Sequence, residues 1–123
     1  MSNLPHTPSF DLSGKKVLVT GASSGIGLGC AMAVAEAGAQ TYCAARGVDR
    51  LEAAVTAMKS DGLSVEALAL DQGDVETLAK VMEDYAFDVV VNSAGLARHT
   101  AAVDTTPQDY DAVMHVNLPL KHI

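Results

Sequence analysis

Two patterns alternate along this chain, short strand-like segments and stripes of apolar residues at helical spacing. The strand-like segments lie at residues 15–20, 40–45, 63–70 and 87–91, and those at 15–20 and 87–91 contain short apolar runs. Runs of this length predict strands that are buried on both faces, as in parallel sheets. Between the runs, apolar residues recur every three or four positions, in stripes that start near residues 26, 51 and 75. Such spacing predicts amphipathic helices.

Helix boundaries are marked by residues with known positional preferences. Gly38 and the pair Asp61-Gly62 follow the first two stripes, where a chain reversal is needed. Thr106-Pro107-Gln108-Asp109 predicts the start of a fourth helix, because Thr caps well, Pro suits a first turn and an acid complements the helix dipole. The inward stripe of this fourth helix is predicted as Tyr110, Val113, Met114 and Asn117.

Strands that alternate with helices predict an α/β fold with right-handed crossovers and a parallel sheet. We expect a doubly wound sheet with the strand order 3-2-1-4. Ligands of such sheets bind beyond the carboxyl ends of the strands where the order reverses, here between strands one and four. Residues 1–12 lack periodicity and predict a flexible arm, which leaves residues 13–123 as one domain.

Composition narrows the function classes. The chain has 123 residues, 49% of them hydrophobic, and a formal net charge of −7. This charge argues against nucleic acids and anionic membranes as partners. No window approaches the roughly 18 apolar residues of a membrane span, and a cytoplasmic location is the expectation. Cys30 and Cys43 have no metal-ligand spacing, so two buried, reduced thiols are expected and no metal site.

The turn after the first strand reads Thr-Gly-Ala-Ser-Ser-Gly-Ile-Gly and carries the most chemistry. Gly21 allows a tight turn, Gly25 lets the backbone approach a pyrophosphate, and Gly27 allows close contact between helix and strand. Backbone amides at the helix start would then hold the anion. The spacing is GxxxGxG, which differs from both the GxGxxG fingerprint and the phosphate loop of nucleotide hydrolases. A purely structural turn is the alternative.

This octapeptide resembles the cofactor motif of the short-chain dehydrogenase/reductase family. Other segments agree in family order over roughly residues 10–120. They are FDLSGKKVLVTG, AAR at the end of strand two, LDQGD after strand three, NSAG at residues 92–95 and HVNL at residues 115–118. The resemblance implies a Rossmann-like, dinucleotide-binding domain that ends before its fifth strand, and an oxidoreductase that usually forms homo-oligomers.

The resemblance also implies roles for individual residues. Ser23, Ser24 and Ile26 would contact the cofactor phosphates and ribose alongside the glycines, and Asp71 and Gln72 would hydrogen-bond the adenine. Asn92, Ala94 and Gly95 match a motif that supports the sheet centre and lines the cofactor site, although Ser93 replaces the second Asn of that motif. Asp71 could instead cap the following helix.

Cofactor choice is decided at the end of strand two. An acid there accepts hydrogen bonds from the adenosine ribose and favours NAD, but this sequence has Ala45 followed by Arg46. The guanidinium fork suits a 2′-phosphate, so NADP(H) is expected to be preferred over NAD(H). A solvated residue at a helix entry is the alternative for Arg46.

Catalytic residues are only partly present. Asn117 matches the Asn of the family's Asn-Ser-Tyr-Lys tetrad, with an exposed or capping Asn as the alternative. In the family a Tyr followed four positions later by Lys is the acid/base for hydride transfer between nicotinamide and an alcohol or carbonyl. The fourth residues after the three tyrosines here are Arg46, Val89 and Met114. The chain is therefore expected to be inactive alone, and a non-catalytic NADP(H)-binding module is the alternative function. Neither reading identifies the substrate.

Overall fold

The computed structural model describes residue 5, residues 9–95 and residues 102–117 of the chain. Strands and helices alternate along these residues, as the sequence predicts. The elements are β1 Lys16–Thr20, α1 Gly25–Glu36, β2 Gln40–Ala45, α2 Val48–Ser60, β3 Val65–Ala69, α3 Val75–Tyr85, β4 Val89–Asn92, a 3-10 turn Ala102–Asp104 and α4 Pro107–Asn117.

The four strands form one parallel sheet in the order β3-β2-β1-β4. The centre of the sheet is β1, in which Leu18 pairs with Tyr42 of β2 and with Val90 of β4. This confirms the predicted Rossmann-like, doubly wound α/β fold. Because the order reverses between β1 and β4, the carboxyl ends of these two strands define the crevice where a ligand is expected.

Each face of the sheet has its own core. On one face, Val17, Val19 and Cys43 pack with α1 and α2, which contribute Ala31, Leu51, Val55 and Met58. On the other face, Leu18 and Ala44 pack with Leu70 and with Leu78 of α3. Alternate strand residues therefore point to opposite helical layers, and this explains why Val17, Leu18 and Val19 of the central strand are all apolar and fully buried.

Two predicted strands were too long. The run at residues 63–70 forms a strand only over Val65–Ala69, because the amide of Leu63 donates to the carbonyl of Met58 and closes the end of α2. The run at residues 87–91 becomes a strand at Val89 and extends to Asn92. Phe87 instead stacks on Tyr85 with ring centroids 5.4 Å apart. Apolar character alone did not separate strand residues from turn residues that pack on the core.

Local sequence signals at α4 were partly correct. The amide of Asp109 donates to Thr106 Oγ1 (3.1 Å) and the amide of Thr106 donates to Asp109 Oδ2 (3.2 Å), which is the predicted cap. Val113, Met114 and Asn117 are half-buried, but Tyr110 is 60% exposed, so its place in the inward stripe was wrong. A helical stripe predicts a common face and does not establish what covers it.

The two cysteines differ in their surroundings. Cys43 is fully buried on β2, and burial raises the pKa of its thiol to about 11. Cys30 is only half-buried on α1, which corrects the expectation of two buried thiols. Both are free of disulfides. Within the described residues, no cluster of three or more His, Cys, Asp or Glu side chains could hold a metal ion.

The amino-terminal segment is tied to the domain where it is described. The amide of Leu12 donates to the carbonyl of Ala37 at 2.8 Å, and Leu12 packs against the core beside α1. Residues 1–4 and 6–8 of the predicted arm lie outside the described residues. None of the helices among the described parts of the chain has the length and apolar character needed to cross a bilayer.

The outer edge of β4 gives a testable expectation for the isolated 123-residue polypeptide. β4 stands at the end of the sheet order, and Val89 on it is 39% exposed. An apolar edge with unpaired backbone groups is a template for another chain. We expect residues 1–123 to self-associate in light scattering, and Val89→Lys to reduce this association because a lysine on an edge opposes strand pairing.

Val48→Lys is the matched control for this prediction. Val48 has a similar exposure of 44%, but it lies at the start of α2 and not on the sheet edge. The control should leave the light-scattering mass unchanged. A monomeric wild-type polypeptide would contradict the edge argument.

Candidate functional site

A cavity of about 760 Å³ lies at the carboxyl ends of the strands, at the predicted crevice. Eleven of the thirteen residues predicted to bind a cofactor line it. They are Gly21, Ser23, Ser24, Ile26, Gly27, Ala45, Arg46, Asp71, Gln72, Ala94 and Gly95. The other two, Gly25 and Asn92, are not among the lining residues. Seven further lining residues were not singled out from the sequence as ligand contacts. They are Thr20, Ala44, Gly47, Arg50, Leu70, Ser93 and Val116.

Two glycines of the turn are required by close packing. Gly21 has φ +64°, and a Cβ there would lie 2.8 Å from the backbone nitrogen of Ala94. A Cβ on Gly27 would collide with the carbonyl group of Gly21, 2.6 Å from its carbon atom. At these two positions, glycine is therefore needed for the packing of the turn itself. They allow backbone contact between three segments, the β1–α1 turn, the first turn of α1 and residues 93–95 after β4, here called the β4 loop.

Gly25 differs from its two neighbours in the motif. Its φ is +59°, in the left-handed region, but a Cβ there would meet nothing within 4 Å. The residues on either side, Ser24 and Ile26, both line the cavity, and Ile26 is 81% exposed. Open space beside a left-handed residue at a helix start leaves room for a ligand to approach the backbone.

The amino terminus of α1 has the electrostatic character of an anion site. Ser24 occupies the N-cap position without making a side-chain cap bond, and the first turn contains no acidic residue. The first amides of a helix have no intrahelical acceptors, and the helix dipole adds positive potential there. An anion at this position would satisfy donors that the helix itself leaves open.

Thr20 organises the β4 loop beneath the cavity, and sequence reasoning missed it. Its Oγ1 accepts from the amides of Ser93 (3.1 Å) and Ala94 (3.3 Å) and donates to Asn92 Oδ1 (3.0 Å). Asn92 thus supports the loop through Thr20, although Asn92 itself is exposed and does not line the cavity. In the sequence, this role is indicated only by the hydroxyl side chain of Thr20 at the end of a buried strand.

Gln72 lies in the floor of the cavity and is 4% exposed. Its Nε2 donates to Asn92 Oδ1 (2.9 Å) and to the backbone carbonyl of Val116 (3.1 Å). Its Oε1 is buried and has no hydrogen-bond partner among the described residues. A buried acceptor without a partner is costly, and this oxygen therefore suits a donor brought by a ligand or by water.

Asp71 is exposed, and its Oδ1 accepts from the amide of Gly73 at 2.9 Å. The alternative role of Asp71 as the cap of α3 is wrong, because Asp74 occupies that position. Asp74 accepts from the amide of Thr77 at 3.2 Å and from the Thr77 hydroxyl at 2.7 Å. These hydrogen bonds hold the pKa of Asp74 below its usual value. Asp71 therefore shapes the turn at the cavity and does not start the helix.

Two cations flank the end of β2. Arg46 follows Ala45, and Arg50 lies one helical turn further on at the start of α2; both are exposed and both line the cavity. Arg46 lies just before the N-cap of α2 and Arg50 lies in its first turn, and together the two side chains form one positive rim of the cavity. The sequence analysis identified Arg46 and missed Arg50, although the spacing of four was visible.

Asn117 is the last residue of α4 and is half-buried. A Cβ built on Gly95 would lie 3.4 Å from Asn117 Oδ1, so the Asn117 side chain lies beside the β4 loop. The preceding residue, Val116, lines the cavity. The structure thus brings the predicted tetrad residue next to the site at its β4 side, opposite the arginine rim on β2.

Comparison with known proteins agrees with this geometry. The family profile described as short chain dehydrogenase matches residues 15–119, and the chain belongs to this family. Gluconate 5-dehydrogenase of Gluconobacter oxydans is 31% identical over 120 residues, which cover 94% of this chain and 47% of that protein. Versicolorin reductase 1 of Aspergillus parasiticus is 36% identical over 114 residues, covering 86% of this chain and 43% of that protein.

A solved structure has the same fold. It is a candidate 2-deoxy-D-gluconate 3-dehydrogenase from Agrobacterium tumefaciens with bound NADP, with a TM-score of 0.82 and 37% identity. The match covers 92% of this chain and 45% of that one. The chain spans about half the length of the curated relatives that it matches. Its family is one of oxidoreductases that bind nicotinamide dinucleotides.

Proposed function

We propose that this protein binds NADP(H) in the cavity and, as a complete protein, transfers hydride between the nicotinamide and an alcohol or carbonyl substrate. The observation that carries the proposal is the pairing of two anion sites in one cavity. The open start of α1 lies at one side, and the rim of Arg46 and Arg50 lies at the other. A dinucleotide with a 2′-phosphate carries anionic groups for both.

The residues present fit the cofactor. Backbone amides from Ser23 to Gly27 would hold the pyrophosphate, since Gly25 leaves open space there. Arg46 and Arg50 would hold the 2′-phosphate, and Ala45 offers no carboxylate to repel it. Asp71 and Gln72 would face the adenine, where the unpaired Gln72 Oε1 can accept a hydrogen bond. The loop of Asn92, Ala94 and Gly95 would line the nicotinamide side.

The bound cofactor supplies the hydride donor or acceptor, while this chain supplies binding and orientation. Thr20 fixes the β4 loop through three hydrogen bonds, so the loop is pre-formed before any ligand arrives. Asn117 stands beside that loop, where we propose that it helps to place a water for proton transfer. The family's Tyr and Lys would complete the acid/base machinery.

Cofactor preference is the direct test. We expect the full-length protein to bind NADP⁺ more tightly than NAD⁺, and Arg46→Ala to weaken NADP⁺ binding by roughly tenfold to a hundredfold. This range corresponds to ~1.5 to 3 kcal/mol for a hydrogen bond to a charged group. The double variant Ala45→Asp, Arg46→Ala should shift the preference towards NAD⁺. Titration by fluorescence or calorimetry measures both constants.

Lys59→Ala is the matched control, because it also removes one positive charge, but from the last turn of α2, whereas Arg46 lies just before the first turn of this helix. Its NADP⁺ affinity should remain within about twofold of wild type, since surface charges more than a Debye length of ~10 Å apart are screened. Equal or tighter binding of NAD⁺ by the wild type would overturn the NADP assignment while leaving dinucleotide binding in place.

A further inference from the structure

The carboxyl end of α4 is attached to the turn that follows β3 by two neighbouring contacts. Gln72 Nε2 donates to the carbonyl of Val116 at 3.1 Å, and His115 Nε2 is hydrogen-bonded to the carbonyl of Gly73. No described residue of α4 is fully buried. Because the apolar residues of this helix, Val113, Met114 and Val116, are only half-buried, the polar contacts add to what holds its carboxyl end in place.

The orientation of the Gln72 amide is determined by its partners. Its nitrogen lies between two acceptors, Asn92 Oδ1 and the Val116 carbonyl, and only an N–H₂ group can donate to both. Asn92 Oδ1 must be an oxygen, because it also receives the hydroxyl of Thr20. The hydroxyl of Thr20 is in turn fixed by the two amides that it accepts. The roles of these groups are therefore mutually consistent, with the Val91 carbonyl, 3.5 Å from Thr20 Oγ1, as a second and longer acceptor for that hydroxyl.

These bonds form one continuous chain from the cavity to α4. The β4 loop amides donate to Thr20, Thr20 donates to Asn92, and Gln72 joins Asn92 to Val116. Val116, where the chain of bonds ends, directly precedes Asn117. The Asn117 side chain lies beside Gly95 of the β4 loop. Among the described residues, Gln72 is the member that carries this chain of bonds to α4.

Burying an amide here has a cost that a packing role does not explain. Gln72 is 4% exposed and leaves Oε1 without a described partner. An apolar side chain of similar length would fill the space without that unpaired acceptor. The two donated bonds are what the amide adds, and both connect parts of the candidate active site.

We propose that Gln72 is a positioning residue that holds the end of α4, and with it Asn117, in register with the β4 loop of the cofactor cavity. This inference rests on the proposed function. It assigns Gln72 a task separate from the expected contact with adenine, because Nε2 donates to protein acceptors while Oε1 has no described partner. Loss of the Nε2 bonds should disturb catalysis and leave most cofactor affinity in place.

Two variants of the full-length protein test the role. Gln72→Glu keeps the shape of the side chain and its acceptor oxygen but removes the two N–H donors, and Gln72→Met keeps its length without polar atoms. We expect kcat with NADP⁺ to fall roughly tenfold to a hundredfold in both, because small misplacements of catalytic groups have effects of this size. The NADP⁺ dissociation constant of Gln72→Glu should stay within about threefold of wild type.

Hydrogen exchange without cofactor gives a readout that does not depend on activity. The amides of residues 113–117 should exchange about tenfold faster in both variants, while those of α1 and β1 stay unchanged. Gln108→Glu is the control, because it makes the same substitution at an exposed position of α4. It should change neither kcat nor exchange at the helix end.

Three results would overturn the assignment. The first is unchanged kcat and exchange in Gln72→Met. The second is a loss of NADP⁺ affinity in Gln72→Glu that accounts for all of the loss in turnover, which would make Gln72 a cofactor contact only. The third is global unfolding of both variants by circular dichroism, which would make it a general core residue. If wild type binds no dinucleotide, the proposed function fails, and the exchange experiment still decides whether Gln72 anchors α4.

Discussion

Replacing Gly25 with valine is expected to reduce NADP⁺ affinity at least about a hundredfold while the domain stays folded. The Cβ of residue 25 would enter space that is empty within 4 Å and lies between the lining residues Ser24 and Ile26. Bulk there would keep a pyrophosphate away from the first amides of α1. Each lost charge-assisted hydrogen bond is worth ~1.5 to 3 kcal/mol, so losing more than one gives this magnitude.

Gly62→Val separates the effect of bulk from the effect of backbone strain. Gly62 has φ +82° and open space around its Cβ, as Gly25 has, but it follows α2 and is not part of the cavity. Both variants carry the cost of a β-branched residue in the left-handed region. Circular dichroism and cofactor titration on both proteins measure the difference. Comparable NADP⁺ affinity in the two variants would show that Gly25 serves the turn alone.

The sheet and its ligand crevice could be predicted because they depend on local patterns. Buried strands, helical stripes and turn residues repeat along the chain in a fixed order, and chirality leaves few ways to connect them. The strand order 3-2-1-4 followed, and it located the cavity between β1 and β4. The glycines could be predicted for a similar reason, since their role depends on backbone conformation within one turn.

The network beneath the cavity could not be predicted in the same way. Whether Gln72 faces solvent or the protein depends on how the β3 turn lies against α4, and these segments are 44 residues apart. The resemblance to a family placed Gln72 near adenine and did not show that its nitrogen is engaged by Asn92 and Val116. The sequence showed Thr20 only as the end of a strand, because its bonding partners in β4 and the β4 loop lie 72 to 74 residues further along the chain.

Exposure was also hard to infer from periodicity. Tyr110 shares a helical stripe with Val113 and Met114, but it is 60% exposed while they are half-buried. Arg50 was overlooked because a charged residue in a first helical turn usually faces solvent. Only the structure shows that Arg50 lines the same cavity as Arg46. In each case a local pattern gave the direction of a side chain, and tertiary packing decided what it meets.

The polypeptide of residues 1–123 is expected to show no measurable turnover of alcohols or ketones with either cofactor, even if it binds NADP⁺. Its three tyrosines lack a lysine four positions later, so no Tyr-x-x-x-Lys pair is available to move the proton. General acid/base assistance typically contributes about a hundredfold to ten-thousandfold in rate. Hydride transfer without it, and without the groups that orient a substrate, should be slower by more than this range.

The assay is a panel of secondary alcohols and ketones, followed by absorbance of the reduced nicotinamide, with the full-length protein as the positive reference. Asn117→Ala in the 123-residue polypeptide is the informative comparison, because Asn117 is the residue that we propose for the tetrad and it lies beside Gly95 at the cavity. Both forms should match the rate without protein. Turnover that Asn117→Ala removes would show that these residues already form a working catalytic site, with a proton donor other than the family's Tyr and Lys.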